Sequence, residues 1–579
     1  MLKDYDNYIK SAIKQLPKTQ ADFGQLKKKL SKQYGIQIPT NADLRDRYNE
    51  LLKKKKVKHS EAFEKILLSR AIRTQSGVAV VAVLTKSFPC PGKCIYCPNE
   101  KGMPKSYLSN EPAVMRAIDA KFNPYRQVQN RLRSLELNGH QTDKIELIVM
   151  GGTFSFLPKH YQKHFIWQCF KACNEYPKHV KRSKSQNVKT SGEKLLNEQK
   201  KNETTKHRII GLTLETRPDF IDAKEITNFR NLGCTRVELG VQSTFDDVLK
   251  LNHRGHPVQS TIEATKRLKD AGFKINYHMM PGLPGSTPKR DFDMFKALFE
   301  DPNFQPDMLK IYPTVVLKNS PLYSLWKKKK YKPLTDKIFE KLVLKIKNEI
   351  IPPYVRISRL VRDVPTTSII AGPIISNLRQ IIATKSNCQC IRCREVRGGY
   401  KIKDLPAMFR SDIKINNLKN SSKQTKKVQT ESDIAIQAGK IILDRIDYPA
   451  SDGHEIFLQY VSKDPFASLP PLDKGRAGVR SSDSSRKKLF ALLRLRITSD
   501  GEAIIREVHT YGKMTKIDKK DSASPQHIGL GKKLLIEAEK IAKKEFGLDK
   551  IAVISGVGVR DYYRKAGYKL KDTYMIKKL

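Results

Sequence analysis

The chain has 579 residues, more than one ordinary hydrophobic core accommodates, so about two to four folding units are expected. Lys and Arg number 110 against 59 Asp and Glu, a formal net charge of +51, and an excess of that size calls for a polyanionic partner, nucleic acid first, beyond what solubility requires. No apolar leader follows Met1 and the longest apolar run, 78–84, is far too short to cross a bilayer, so a cytoplasmic protein with no membrane partner is expected.

In chain order, residues 1–75 carry Lys and Leu at helical spacing (Ile9, Ile13, Leu16; Leu26, Leu30) and read as a basic helical region. Its lysine runs 27–29 and 53–56 suit the phosphates of a nucleic acid, although such runs also serve as solvated faces. From residue 76, short β-rich runs at 78–84, 145–150, 208–214, 236–239, 274–278 and 308–312 alternate with helical stretches. Strands separated by helices predict a parallel partial (βα)6 barrel, in a domain taken to run over 76–385. Segments 181–206, 416–432 and 468–487 are polar and nearly free of large apolar residues, and are expected to be disordered surface insertions. A Cys-rich linker, 386–432, leads to a unit over 433–579 whose order of strands at 456–460, 489–497 and 503–511, helix at 529–546 and strand at 550–554 predicts an α+β fold of acetyltransferase (GNAT) type.

Nine cysteines cluster as 90/94/97 and 388/390/393, with 169, 173 and 234 scattered, and tight triplets in a cytosolic chain read as metal ligands rather than disulfides. Cys90, Cys94 and Cys97 form the C-x3-C-x2-C loop CPGKCIYC directly after the first barrel strand. Three thiolates hold three irons of a [4Fe–4S] cluster and leave the fourth open to the amino and carboxylate groups of S-adenosylmethionine (SAM), the arrangement of a radical SAM enzyme. The alternative is a zinc loop completed by a distant histidine. Barrel sites lie at the C-terminal ends of strands, which nominates Gly151 and Gly152 after the second strand, Glu215 and Arg217 after the third, Glu238 and Gln242 around the fourth, and His278 after the fifth. Cys388, Cys390 and Cys393 suit a structural zinc whose fourth ligand is not local, or free buried thiols.

Gln526, His527, Gly529 and Gly531 form a Q-x-x-G-x-G loop before an apolar-periodic helix, an anion site suited to the pyrophosphate of acetyl-CoA. Tyr562 and Tyr563 follow in DYYRKAGY; one tyrosine there is placed to protonate the departing CoA thiolate, the other to pack the last helix.

With these motifs on one chain in this order, the sequence resembles the catalytic subunit of Elongator, the tRNA wobble-uridine acetyltransferase family, through RTQSGVAVVAV, MGGTF, ETRPD, VELGVQS, IYPT and IAVISGVGVRDYYRKAGY. The resemblance implies that a 5′-deoxyadenosyl radical takes hydrogen from the methyl group of acetyl-CoA. The carbon radical then adds to carbon 5 of the wobble uridine in the tRNA anticodon loop, and thioester hydrolysis leaves 5-carboxymethyluridine. It also implies that Lys144 contacts acetyl-CoA, that Glu507, Val508, His509 and Thr510 belong to the CoA-binding segments, and that Tyr563 is the acetyltransferase tyrosine. The gap between the first two cysteines is shorter than in eukaryotic members, which suggests a stand-alone prokaryotic-type enzyme. An electron donor is expected as a further partner, and the sequence leaves open whether the chain forms a homodimer. Two rival readings are a protein lysine acetyltransferase with a structural iron–sulfur cluster and a nucleic-acid-binding scaffold without turnover.

Overall fold

The computed structural model describes residues 2–68, 74, 77–177, 191–396, 441–462, 486–512 and 529–579. Four helices, Leu2–Lys14, Gln20–Tyr34, Asn41–Lys53 and Glu61–Ile66, open the chain. Thr19, Thr40 and Ser60 each cap the helix that follows, and Thr40 closes a full capping box with Asp43. These helices bury a core of their own, with Tyr8, Phe23, Leu30, Leu44, Tyr48 and Phe63 at its centre, so the lysine run 53–56 is left on the surface.

The next strands are β1 (Ala79–Leu84), β2 (Lys144–Met150), β3 (Arg208–Thr216), β4 (Arg236–Gln242), β5 (Lys274–Met279), β6 (Met308–Ile311), the short β7 (Val316–Leu317), β8 (Arg356–Arg359) and β9 (Ile369–Ala371). β1 to β6 and β8 form one sheet in chain order, every neighbouring pair parallel, with helices on the outside: a partial βα barrel. β8 adds a seventh strand to the six expected. Its RISR sequence has no apolar run and follows a proline pair, so nothing in its pattern announces a strand.

The expectation of disorder over 181–206 is corrected in part. Residues 178–190 lie outside the described set, but Ser191–Asn202 is a helix packed on Lys159–Glu175. Polar contacts hold it more than apolar burial does: Asn174 donates to the Glu198 carboxylate (2.7 Å), Gln199 to the Asn231 carbonyl (3.0 Å), and the Ile209 amide to Asn202 (2.7 Å). The proposed insertions at 416–432 and, but for its last two residues, 468–487 lie outside the described residues.

The second sheet comprises β10 (Ile441–Ala450), β11 (Gly453–Ser462), β12 (Leu489–Ile497), β13 (Ala503–Thr510), β14 (Lys550–Val553), β15 (Lys569–Lys571) and β16 (Tyr574–Lys578), in the order β10-β11-β12-β13-β14-β16-β15. Only β13 and β14 are parallel, and they pair over Ala503–Ile505 alone; β13 then runs on while β14 ends, so the sheet splays open beyond that point. The helix Leu530–Lys544 packs its apolar stripe of Leu534, Leu535, Ala538 and Ile541 on this sheet. The chain is therefore a radical SAM-type half-barrel followed by an acetyltransferase-type α+β domain, and the two share one continuous core.

Their boundary is charged and buried. A bulge in β13 leaves Arg506 without a strand partner and aims it at the barrel, where its guanidinium bonds Asp307 (3.0 and 2.5 Å), Glu455 (2.8 Å) and the Phe273 carbonyl (2.8 Å). Arg496 pairs with Asp270 and Glu455 nearby, and Lys269 with Glu455. Burial alone would raise Asp307, but Arg506, Lys269 and Arg494 hold its carboxyl below the usual range. Arg506→Met removes the closest buried partner of both Asp307 and Glu455, and an unfolding experiment is expected to register a loss of about 3–5 kcal/mol at neutral pH. Because the folded pKa is the lower one, this stabilisation is present above the unfolded carboxylate range and fades as pH falls, so wild type and variant should converge in acid.

Candidate active site

The cysteine loop leaves the C-terminal end of β1 and is pinned by backbone bonds: Ile95 N to the Asn252 carbonyl (3.2 Å), Leu322 N to the Ile95 carbonyl (2.8 Å) and Asn99 N to the Asn319 carbonyl (2.9 Å). Arg254 donates to Cys94 Sγ (3.6 Å) and Gly92 N to Cys90 Sγ (3.4 Å). A hydrogen bond from Cys97, seconded by Arg254, pulls the Cys94 thiol down to about 4, and the same bond pushes the Cys97 thiol up, so Cys94 is the thiolate of the pair.

The sulfurs of Cys388, Cys390 and Cys393 all lie within 4.8 Å of one another, as a single tetrahedral ion with its short metal–sulfur bonds needs.

Around this loop stand the predicted strand-end residues. Arg217 is locked bidentate to Asp219 (2.9 and 2.7 Å), and its remaining nitrogen, buried without a hydrogen bond, points at the loop so closely that a side chain at Gly92 would fall 2.6 Å from it. That unsatisfied N–H group fits a hydrogen-bond acceptor bound beside the cysteine loop. Gly151 (φ 137°) and Gly152 (φ 91°) hold left-handed backbone, and a carbon on Gly151 would sit 2.0 Å from Thr85 Oγ1. Gln242, at φ 72°, turns sharply at the end of β4.

Inside the half-barrel, neighbouring strands bring together Glu215, Glu238, His278 and Lys310. Glu238 accepts from Asn276 (3.0 Å), His278 (3.0 Å) and Lys310; Glu215 accepts from Tyr107 (2.7 Å) and faces Lys310 at 3.7 Å. Burial would raise Glu238, but Lys310 and His278 hold it well below the usual carboxylate range. In return Glu238, against burial, pushes Lys310 up to about 12. Lys310 and Arg254 were not among the residues nominated from sequence. The signal for Lys310 was a lone lysine inside the apolar strand MLKI. For Arg254 there was none, since it reaches the cysteines across the fold.

At the opposite, N-terminal mouth of the barrel, a cavity of about 540 Å³ opens toward the splayed sheet. The first residues of five strands contribute bases to it: Lys144, Arg208, Arg236, Lys274 and Arg356. From the second domain come Glu507, Val508, His509 and Thr510 of β13, Gly529 and Gly531 of the glycine loop, and Tyr562 and Tyr563. Sequence-predicted residues more than four hundred positions apart thus share one chamber. Gln526 and His527 lie outside the described residues. Burial lowers the Lys144 amine. Glu507 bonds Lys274 (3.0 Å) and Arg494 (3.0 Å), which, against burial, hold its carboxyl well below the usual range and leave it a weak base. Tyr563 is 6% exposed and packs edge-on against Tyr562 and Tyr568. Tyr562 is 43% exposed, and its hydroxyl lies 3.0 Å from where a side chain on Gly531 would begin.

Residues 87–297 match the Radical SAM superfamily and residues 306–387 the Radical_SAM C-terminal domain. The chain is 40% identical over 527 residues to the tRNA uridine(34) acetyltransferase of Dehalococcoides mccartyi, covering 88% of this chain and all of that protein. It is 36% identical over 533 residues to human Elongator complex protein 3, covering 89% and 86%. The solved structure of an archaeal Elp3 from Methanocaldococcus infernus, with an N-terminal deletion, superposes at a TM-score of 0.64 and 38% identity, over 87% of this chain and 100% of that one.

Proposed function

The chain belongs to the tRNA uridine(34) acetyltransferase family that includes Elongator complex protein 3, and on that premise we propose that it converts the wobble uridine of tRNA to 5-carboxymethyluridine, drawing the new carbons from acetyl-CoA. The observation that carries this reading is the two-ended barrel: the cysteine loop and Arg217 at the C-terminal ends of the strands, the acetyltransferase chamber at their N-terminal mouth, and the polar interior between them.

Cys90, Cys94 and Cys97 would hold a [4Fe–4S] cluster, with SAM alongside it near Gly151, Gly152, Arg217, Glu238 and Gln242. Together these supply a carbon-centred radical. The remaining work falls to the chain. The ring of bases and the amides at the N-terminus of Leu530–Lys544, entered through Gly529 in left-handed backbone, suit the phosphates of CoA. Lys144 orients the thioester carbonyl. Tyr562 or Tyr563 delivers a proton to the departing thiolate. Cys388, Cys390 and Cys393 suit a structural zinc beneath the domain boundary, where Glu395 already bridges to Leu489.

The N-terminal helices present Lys28, Lys29 and Lys53–Lys56 to solvent and would grip tRNA through its phosphates. Affinity is then expected to fall log-linearly with salt, and removal of residues 1–75 to flatten that slope; salt-independent binding would contradict this. The reading as a whole is tested by incubating the protein with SAM and a reductant. Formation of 5′-deoxyadenosine is expected, whereas a lysine acetyltransferase with a structural cluster would form none.

A further inference from the structure

We infer that Glu203, on the barrel side of the domain boundary, is the positioning residue for Tyr562 and Tyr563. The helix that carries the tyrosines, Arg560–Arg564, is five residues long, too short to fix itself, so its placement depends on what it rests upon. It rests on the other domain. Each oxygen of the Glu203 carboxylate takes one of its arginines, Oε1 accepting from Arg560 at 3.0 Å and Oε2 facing Arg564 at 2.7 Å. Glu203 and Arg560 are both 9% exposed, so this is a shielded, charge-assisted contact rather than a surface pair.

Two further observations bear on the same joint. Ahead of the helix, the segment Gly556–Val559 lies with its backbone on β3. A side-chain carbon on Gly556 would fall 2.0 Å from the Ile210 carbonyl oxygen, and one on Gly558 2.9 Å from that of Ile209. These are backbone atoms that cannot swing aside. Glu203 is equally fixed, because it directly follows Asn202, which receives the Ile209 amide and donates to the His207 carbonyl (3.1 Å). The tyrosine helix is therefore registered on β3, the strand beside the one that begins with Lys144, by the Glu203 carboxylate together with the Gly556–Val559 contact.

The inference rests on the reading above, in which the tyrosines serve the thioester. It predicts that Glu203→Ala lowers tRNA-stimulated CoA release roughly ten- to a hundredfold through kcat, the scale of an ångström-sized misplacement. The KM for acetyl-CoA, held by the glycine loop, and uncoupled 5′-deoxyadenosine formation should stay at wild-type values. Glu203→Asp, which keeps a carboxylate for both arginines, should recover part of the loss seen in Glu203→Ala, and Gly556→Ala, which lifts the same segment off β3, should reproduce that loss. A Glu203→Ala protein with wild-type CoA release, one in which CoA release and 5′-deoxyadenosine formation fall together, or a Glu203→Asp protein no more active than Glu203→Ala would overturn the inference. If Tyr562→Phe and Tyr563→Phe themselves left CoA release intact, the reading would fall and the inference with it; if they abolished it while Glu203→Ala did not, the inference alone would fall.

Discussion

Alanine at Cys90, Cys94 and Cys97 together is expected to give a folded, colourless protein with no iron and no 5′-deoxyadenosine formation, where anaerobically reconstituted wild type is brown and holds about four irons per chain. Alanine at Cys388, Cys390 and Cys393 should leave iron and colour intact. The contrast follows from the two settings. The second triplet packs its sulfurs as a single ion requires, while the first lies on a pinned loop after β1, with Arg254 favouring the thiolate of Cys94 and an unsatisfied Arg217 nitrogen aimed at the loop. Iron content and electron paramagnetic resonance of the two variants decide the matter. Iron retained after loss of the first triplet would end the cluster assignment.

Lys144→Ala is expected to lower tRNA-stimulated CoA release by about a hundredfold while leaving tRNA affinity nearly unchanged, and so is Tyr563→Phe, because each removes one side of the same chamber. Lys144 opens β2 and reaches the chamber from the barrel; the tyrosines reach it from the second domain. Burial pushes Tyr562 up to about 12 and raises Tyr563 as well, so both phenols stay protonated at neutral pH and can donate to a leaving thiolate. Tyr562→Phe is the comparison that separates them: Tyr562 stands over Gly531, whereas Tyr563 is enclosed. Because burial lowers the Lys144 amine, activity that needs its charge should fall, as pH rises, earlier than an exposed lysine would dictate. CoA release measured with and without tRNA in the three variants checks these points. Full activity of Lys144→Ala, or equal release without tRNA, would contradict them.

Much of this architecture was legible in the sequence, for reasons that can be named. The six barrel strands are uninterrupted β-rich runs, so their positions came within a few residues of β1 to β6, and the cysteine spacing identified the loop that follows β1. Local patterns do not reach across the fold, however, so Arg254 beside Cys94 and the Arg506–Asp307 contact could not be read. Composition misled at Ser191–Asn202, since a helix held by Glu198, Gln199 and Asn202 through hydrogen bonds looks like an unfoldable insertion to any measure that counts apolar residues. Strand-end reasoning pointed to one face of the barrel only. The ring of bases at the N-terminal mouth lies on the face that such reasoning assigns to stability, and Lys144 was singled out there by resemblance alone.

The most direct test of the account supplies acetyl-CoA labelled with carbon-13 in its methyl group to the reconstituted protein with SAM, reductant and unmodified tRNA, and examines the wobble nucleoside by mass spectrometry. The account predicts a carboxymethyl group on carbon 5 of the uridine, with the label in the carbon bonded to the ring. An unmodified wobble uridine, or label recovered only in acetylated lysines of protein, would contradict it.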